Sequence, residues 1–286
     1  MLERLLILLL TVLPKHALSR GAGWIASRTV PVGMRGAVYR GYSRIFGAKP
    51  EEAALPLEAY PSINAFFTRE LKPGLRPLAP NAIVSPVDAA VGAYGVVERD
   101  TLVQAKGRTY SLAALLGSTA LADRFEGGTY TTLYLSPKDY HRIHVPMAGA
   151  ITSATYIPGE LWPVNAAAVT HVADLFAVNE RIVIMLEPAS GGLMAVVPVG
   201  ATMVGMTRLV FDDLHTNARR RDIQARRYDP PVHMQVGDEL GHFEFGSTVV
   251  LVCSPDAGTI EPLQLGAPVR LGQRIGALPQ PSNPHQ

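Results

Sequence analysis

Two hydroxyl residues follow a glycine in the segment Phe243-Glu244-Phe245-Gly246-Ser247-Thr248-Val249-Val250-Leu251. The alternation of the first residues reads as a strand, the glycine interrupts it, and an apolar strand resumes. Glycine tolerates strained backbone and carries no side chain to shield its own carbonyl, so the Ser247 hydroxyl could attack the Gly246 carbonyl once a base removes its proton. The same residues also suit a plain glycine bulge whose hydroxyls satisfy backbone groups. Taken alone, the bulge is the simpler account.

A base is available upstream. His141 and His144 lie in Tyr134-Leu135-Ser136-Pro137-Lys138-Asp139-Tyr140-His141-Arg142-Ile143-His144-Val145-Pro146. Pro137 and Pro146 bracket the pair and leave little room for a helix, and on a strand residues three apart point to opposite faces. A shared metal is therefore not expected, whereas acid–base chemistry among Asp, Lys, Arg and Tyr side chains is. Asp88, in Ser85-Pro86-Val87-Asp88-Ala89-Ala90-Val91-Gly92, reads as a turn residue or as a buried carboxylate that orients a histidine.

These residues need a frame. Short β-branched runs at Ile83-Val84, Val91 to Val97, Tyr130 to Leu135, Ile182 to Leu186, Ala195 to Val199 and Val249 to Val252 alternate with Gly and Pro. They predict a mostly antiparallel β core. Ser111 to Leu116 and Ala166 to Phe176 are the helices expected inside it. Before it, Tyr39, Tyr42, Ile45 and Phe46 share one helical face within a pattern running from about Arg35 to Arg69, with Ser62 as a cap and Lys72-Pro73-Gly74 as a stop. The fold class expected is α+β: a basic helical N-terminal part, residues 1–60, followed by a β-rich domain over 61–278 and a Pro-rich disordered tail, 279–286.

Charge is distributed unevenly. The 286 residues carry a formal net charge of only +2, too little for a nucleic-acid binder, and the single cysteine, Cys253, excludes an intrachain disulfide. Yet the first fifty residues hold Arg4, Lys15, Arg20, Arg28, Arg35, Arg40, Arg44 and Lys49 against one acid, Glu3, so the remainder is net acidic. Leu5 to Leu13 is apolar but, at roughly 14 Å as a helix, too short to span a bilayer. It reads as an interfacial anchor with Trp24 and Tyr39 at headgroup depth, with a core-packed helix and a signal peptide as the other readings.

Together the blocks around Asp88, His141–His144 and Ser247 resemble the phosphatidylserine decarboxylase family. Asn64-Ala65-Phe66-Phe67-Thr68-Arg69, Pro158-Gly159-Glu160-Leu161 and Leu175 to Arg181 extend the resemblance over most of the chain, and Leu13-Pro14-Lys15 and Gly23-Trp24 carry it to the N-terminus of bacterial members. The chain departs at Phe245, where bacterial members commonly have Leu. The resemblance implies a self-processing triad of Asp88, His144 and Ser247: Asp88 fixes the imidazole tautomer, His144 takes the serine proton, and the chain cleaves between Gly246 and Ser247. It further implies a β chain of residues 1–246 and an α chain of 247–286 that remain paired, and a covalent pyruvoyl group in place of Ser247. That ketone would form a Schiff base with the amine of phosphatidylserine, release carbon dioxide and yield phosphatidylethanolamine. His141 is the candidate for assisting decarboxylation and reprotonation, with Tyr140 a second. The implied partners are phosphatidylserine and an anionic bilayer, at the cytoplasmic side of the cell membrane as a peripheral protein, with no metal and no nucleic acid; further dimerisation stays open. Two rival readings are a membrane-associated serine hydrolase using the same three residues and a non-enzymatic membrane-tethered β module. The chain lacks the Gly-x-Ser-x-Gly elbow of many hydrolases.

Overall fold

The β-branched runs pair into one eight-stranded, wholly antiparallel sheet. In chain order its strands are β1 (Ala89–Val96), β2 (Thr129–Leu135), β3 (Gly149–Ile157), β4 (Arg181–Pro188), β5 (Met194–Val199), β6 (Gln224–Met234), β7 (Ser247–Cys253) and β8 (Pro268–Val269). Their spatial order is β6-β3-β4-β5-β7-β2-β1-β8. The computed structural model describes residues 13–105, 107–202, 206–218, 220–244 and 247–279. Outside them lie most of the apolar run from Leu5, Phe245 and Gly246 with the expected scissile bond, and residues 280–286 of the expected tail.

Antiparallel sheets commonly bury one face and wet the other, giving strict alternation. β7 instead reads as a continuous apolar run because both of its faces are covered. Val249, Leu251 and Cys253 enter one core with Leu133, Ile143, Leu240 and Phe243, from strands of smaller sheets and from β2. Val250 and Val252 enter a second core with Leu112, Leu115, Phe125 and Phe176, from short helices on the other side. The architecture is thus a large central sheet between a layer of small sheets and a layer of short helices, and it is α+β with its longer helices at the N-terminus.

Those N-terminal helices are α1 (Lys15–Ala26), α2 (Val32–Phe46) and α3 (Ile63–Phe67). Ser62 caps α3 as expected, its Oγ accepting from the Ala65 amide at 3.1 Å. The helical pattern read from Arg35 to Arg69 is not continuous: Gly47, at φ 77°, ends α2, and two 3-10 turns follow before α3. Tyr39, Ala53, Tyr60 and Phe66 then form a third small core that joins α2 to α3, with the Tyr39 hydroxyl donating to the Tyr60 carbonyl at 2.7 Å. The stretch Ala166 to Phe176 likewise divides, into Ala166–His171 and Leu175–Val178, because Asp174 adopts φ 51°.

One buried cation ties the helical layer to the sheet. The guanidinium of Arg181, at the start of β4, donates to the carbonyls of Leu115 (2.6 Å), Ala114 (2.5 Å), Ala177 (2.6 Å) and Asn179 (2.8 Å). Ala114, Leu115 and Ala177 lie in the last turns of two short helices, where carbonyls have no intrahelical partner. Burial pushes Arg181 down to about 10, so it remains charged at neutral pH. Arg181→Met is expected to cost about 3 kcal/mol or more of folding stability, since several buried carbonyls lose their donor at once. Urea denaturation checks this, and a loss below about 1 kcal/mol would mean that those carbonyls find other partners.

Candidate active site

Ser247 opens β7 opposite Leu135 of β2, one residue before Thr248 pairs with both Tyr134 and Val199. It has no solvent-exposed surface, and among the described residues its Oγ has no hydrogen-bond partner. An orphaned buried hydroxyl costs about 1–3 kcal/mol, so natural cores seldom retain one without a use. A cavity of about 570 Å³ ends against it. Its wall is mainly apolar: Phe67 of α3, Tyr42 and Phe46 of α2, Ile25 of α1, with Tyr134 and Pro163. The three N-terminal helices therefore form one side of this cavity and the strand ends of the central sheet the other.

His141 stands behind the Phe67 wall. Its ring packs on Phe67 with centroids 4.0 Å apart, and its Nδ1–H donates to the Asp139 carbonyl at 2.8 Å. A carbonyl can only accept, so the proton is on Nδ1 and Nε2 carries the free lone pair. That Nε2 is buried and unpartnered, like the Ser247 hydroxyl. Burial pushes His141 down to about 3, against the opposing pull of the Asp139 carbonyl, with nearby Arg69 adding to the fall.

His144 and Asp88 are placed elsewhere. His144 Nδ1–H donates to the Gly237 carbonyl at 2.8 Å and its Nε2 accepts from the Tyr140 hydroxyl at 3.1 Å. It lines a polar cleft of about 380 Å³ with Arg76, Tyr140, Arg142, Gly237 and Glu239, none of which lines the Ser247 cavity. Burial lowers its pKa, opposed by the Gly237 carbonyl. Asp88 is gripped by Arg76 at 2.9, 3.1 and 2.6 Å and by the Leu271 amide at 2.8 Å. Arg76 also bonds Glu52 at 2.7 Å. Among the described residues Asp88 and His144 share no hydrogen bond; the Gly237 carbonyl holds the imidazole tautomer that the sequence reading assigns to Asp88. The structure thus stacks His141 on Phe67, which lines the same cavity as Ser247, and leaves His144 in a separate charged cleft whose Arg76 and Leu271 hold Asp88.

Sequence reasoning missed Arg76, Gly237 and Phe67. Arg76 sits in a Gly-Leu-Arg-Pro turn with no periodic signal; asking which cation neutralises a buried Asp88 would have found it. Phe67 lies inside a recognised block but reads only as core. Because the folded pKa of His141 lies below the unfolded value of 6.5, the stability from its neutral ring is full above about pH 6.5 and is lost as pH falls toward the folded value. Ring-nitrogen NMR is expected to show His141 as the neutral Nδ1–H tautomer from pH 8 down to about 5. An imidazolium spectrum in that range would contradict the assignment.

The phosphatidylserine decarboxylase family model matches residues 63–277. The chain is 47% identical over 279 residues to a phosphatidylserine decarboxylase proenzyme of Anaeromyxobacter sp. (strain K), covering 96% of this chain and 98% of that one. It is 44% identical over 273 residues to the proenzyme of Myxococcus xanthus (strain DK1622), covering 94% and 97%, and 41% identical over 285 residues to that of Pseudomonas fluorescens Pf-5, covering 96% and 98%. Matched by the family model from residue 63 to 277 and more than 40% identical to these proteins almost end to end, the chain belongs to the phosphatidylserine decarboxylase family.

Proposed function

We propose that this protein decarboxylates phosphatidylserine to phosphatidylethanolamine at a pyruvoyl group made from its own Ser247. The observation that carries the reading is the orphaned Ser247 Oγ, fully buried where an apolar cavity meets the central sheet. A residue there is shielded from water and faces space large enough for part of a lipid. The position fits a small ketone as well as it fits a hydroxymethyl group, since both are compact and the cavity lies beyond them. When present, a pyruvoyl group supplies an electrophilic carbonyl that engages the substrate amine and accepts the electron pair left as carbon dioxide departs.

The chain's own residues would act at two stages. In self-processing, the Ser247 hydroxyl loses its proton to a base and adds to the Gly246 carbonyl; the peptide nitrogen leaves as the amine, giving an ester. Elimination of the 1–246 carboxylate then leaves dehydroalanine at 247, and water converts this to the ketone with release of ammonia. The resulting β and α chains would stay together, because β7 is hydrogen-bonded to β2 and β5 along its length. For His144 to serve as the base, its Nε2 must exchange the Tyr140 hydroxyl for that of Ser247, and Asp88 must act through the field it contributes or release Arg76. In decarboxylation, His141 is the nearer candidate: its neutral Nε2, buried behind Phe67, can hold or pass a proton at the substrate α-carbon once Phe67 shifts. The serine hydrolase reading relies on the same three residues, and the chain in addition lacks the Gly-x-Ser-x-Gly elbow.

Delivery of a two-tailed lipid calls for a bilayer at the cavity mouth. Ile25 and Phe46 both line the cavity and are 64% and 46% exposed, and Trp24, Val32, Met34 and Ile45 extend this apolar surface over α1 and α2. Arg28 stacks on the Trp24 ring at 3.7 Å, which places a cation at the edge of the apolar surface. Among the described residues no helix is long and apolar enough to cross a membrane. We infer peripheral attachment at the cell membrane through these helices, with the cavity opening toward the lipid.

Two experiments test this. Ser247→Ala should run as one chain of 30.7 kDa with no decarboxylase activity, whereas His141→Gln should cleave normally yet release carbon dioxide about 10²–10⁴-fold more slowly. Intact-mass analysis and product release read both, and two fragments from Ser247→Ala would defeat the assignment. Trp24→Glu with Ile45→Glu should lower co-sedimentation with phosphatidylglycerol-containing vesicles at least about tenfold, since two large apolar side chains no longer leave water. Undiminished sedimentation would remove α1 and α2 as the attachment surface.

A further inference from the structure

A second, polar pair of cavities lies on the other side of α1 from the Ser247 cavity. One, of about 360 Å³, is lined by His16, Tyr156, Glu180, Asn217, Arg220 and Arg221 among others; the adjoining one, of about 530 Å³, is lined by His16, Arg20, Arg220 and Arg221. Neither shares a lining residue with the Ser247 cavity, although α1 contributes to all three. Sequence order hides this grouping, because 200 positions separate Arg20 from Arg220.

The arginines have charge to spare. Among the described residues none of Arg20, Arg220 and Arg221 is paired with a carboxylate, and Glu160, the other acid lining the first cavity, is taken by Lys15 at 3.1 Å. His16 uses its Nε2–H on the Gly159 carbonyl at 3.1 Å, which fixes its ring beside the arginines. Opposite them is Glu180, only 2% exposed. Its Oε1 accepts from the Tyr156 hydroxyl at 2.7 Å and the Asn217 amide at 2.6 Å, while its Oε2 has no partner among the described residues. The same Tyr156 hydroxyl approaches the Arg220 carbonyl at 3.3 Å, so the arginine loop stands one bridging group from the carboxylate.

A buried carboxylate oxygen without a donor calls for a cation or N–H group, and three unpaired guanidinium groups call for a phosphate or another multivalent oxyanion. The two cavities share His16, Arg220 and Arg221, so both demands are met by a single ligand with an amine and a phosphodiester a few bonds apart. We propose that these cavities bind an amino-phosphodiester headgroup, with its ammonium on Glu180 Oε2 and its phosphate among Arg20, Arg220 and Arg221. The site is separate from Ser247 and independent of the chemistry proposed there. It would let the protein hold a second aminophospholipid beside the one being processed.

The test is binding to the full chain, in the native sequence and in Ser247→Ala, where no ketone can capture an amine. The probes are soluble glycerophosphoethanolamine, soluble glycerophosphoglycerol as an amine-free diester, and phosphatidylcholine vesicles with and without phosphatidylethanolamine. Glu180→Gln should weaken glycerophosphoethanolamine at least about tenfold and leave glycerophosphoglycerol unchanged. Arg220→Ala with Arg221→Ala, two exposed loop positions with no demand on the core, should weaken both soluble probes by a similar factor. Soluble binding identifies a site open to free amino-phosphodiesters; the same variant effects with vesicles alone identify a bilayer headgroup, and either supports the site. Affinities unchanged by both sets of substitutions would overturn it, as would binding that disappears in Ser247→Ala.

Discussion

Ser247 begins a strand that is hydrogen-bonded along both edges and covered on both faces, so its hydroxyl enters the protein interior with no group to pair with. The rest of the site follows from that constraint. The surrounding sheet supplies the dense backbone pairing that can carry an unsatisfied polar atom, with β2 matching β7 from Ser247 and β5 matching it from Thr248. Thr248 Oγ1 beside it and His141 Nε2 behind Phe67 are unsatisfied as well. Such groups cluster where a fold keeps reactive atoms out of water, and here they lie where the central sheet meets the N-terminal helices.

The charged groups are organised on the opposite principle. Asp88, Arg76 and Glu52 satisfy one another, and His144 is held at both nitrogens. Burial of an ion pair is costly unless further hydrogen bonds complete it, and the Leu271 amide on Asp88 does so. The result is a polar cleft held by paired charges, beside a cavity with mainly apolar walls. On the proposed mechanism, a reaction performed once per chain and a reaction performed at every turnover would draw on different histidines for this reason: one is tethered and must exchange partners, while the other already carries a free lone pair.

On the proposed function, the N-terminal helices would connect the chemistry to lipid. They wall the Ser247 cavity with Ile25, Phe46 and Phe67, present apolar side chains outward, and on another face of α1 bring His16 and Arg20 to the loop of Arg220 and Arg221. One amphipathic helix thus separates an apolar space suited to acyl chains from a charged space suited to headgroups. Its short length is consistent with lying along a surface, where each face meets a different medium.

Much of this was legible in the residues themselves. Alternation and turn punctuation marked the strands, Ser62 marked a helix start, and the blocks around Asp88, His141–His144 and Ser247 carried the family, because such signals depend on neighbours in sequence. The break at Asp174 was not legible, since a left-handed residue other than glycine leaves little trace in composition, whereas the break after Phe46 falls at Gly47, a glycine that the helical pattern was read through. Nor were the partners of the reactive groups. That Asp88 answers to Arg76 rather than His144, that Gly237 sets the imidazole tautomer, and that Glu180 shares a cavity with residues of α1 are facts of distance across strands and layers. The Ser247 hydroxyl shows the division most clearly: its type and its glycine neighbour left a bulge and a reactive centre both open, and only the packing of an interior strand with two covered faces left it buried and without a partner among the described residues. Local sequence determines conformation and reactivity, whereas which donor meets which acceptor is decided by how distant segments come to lie side by side.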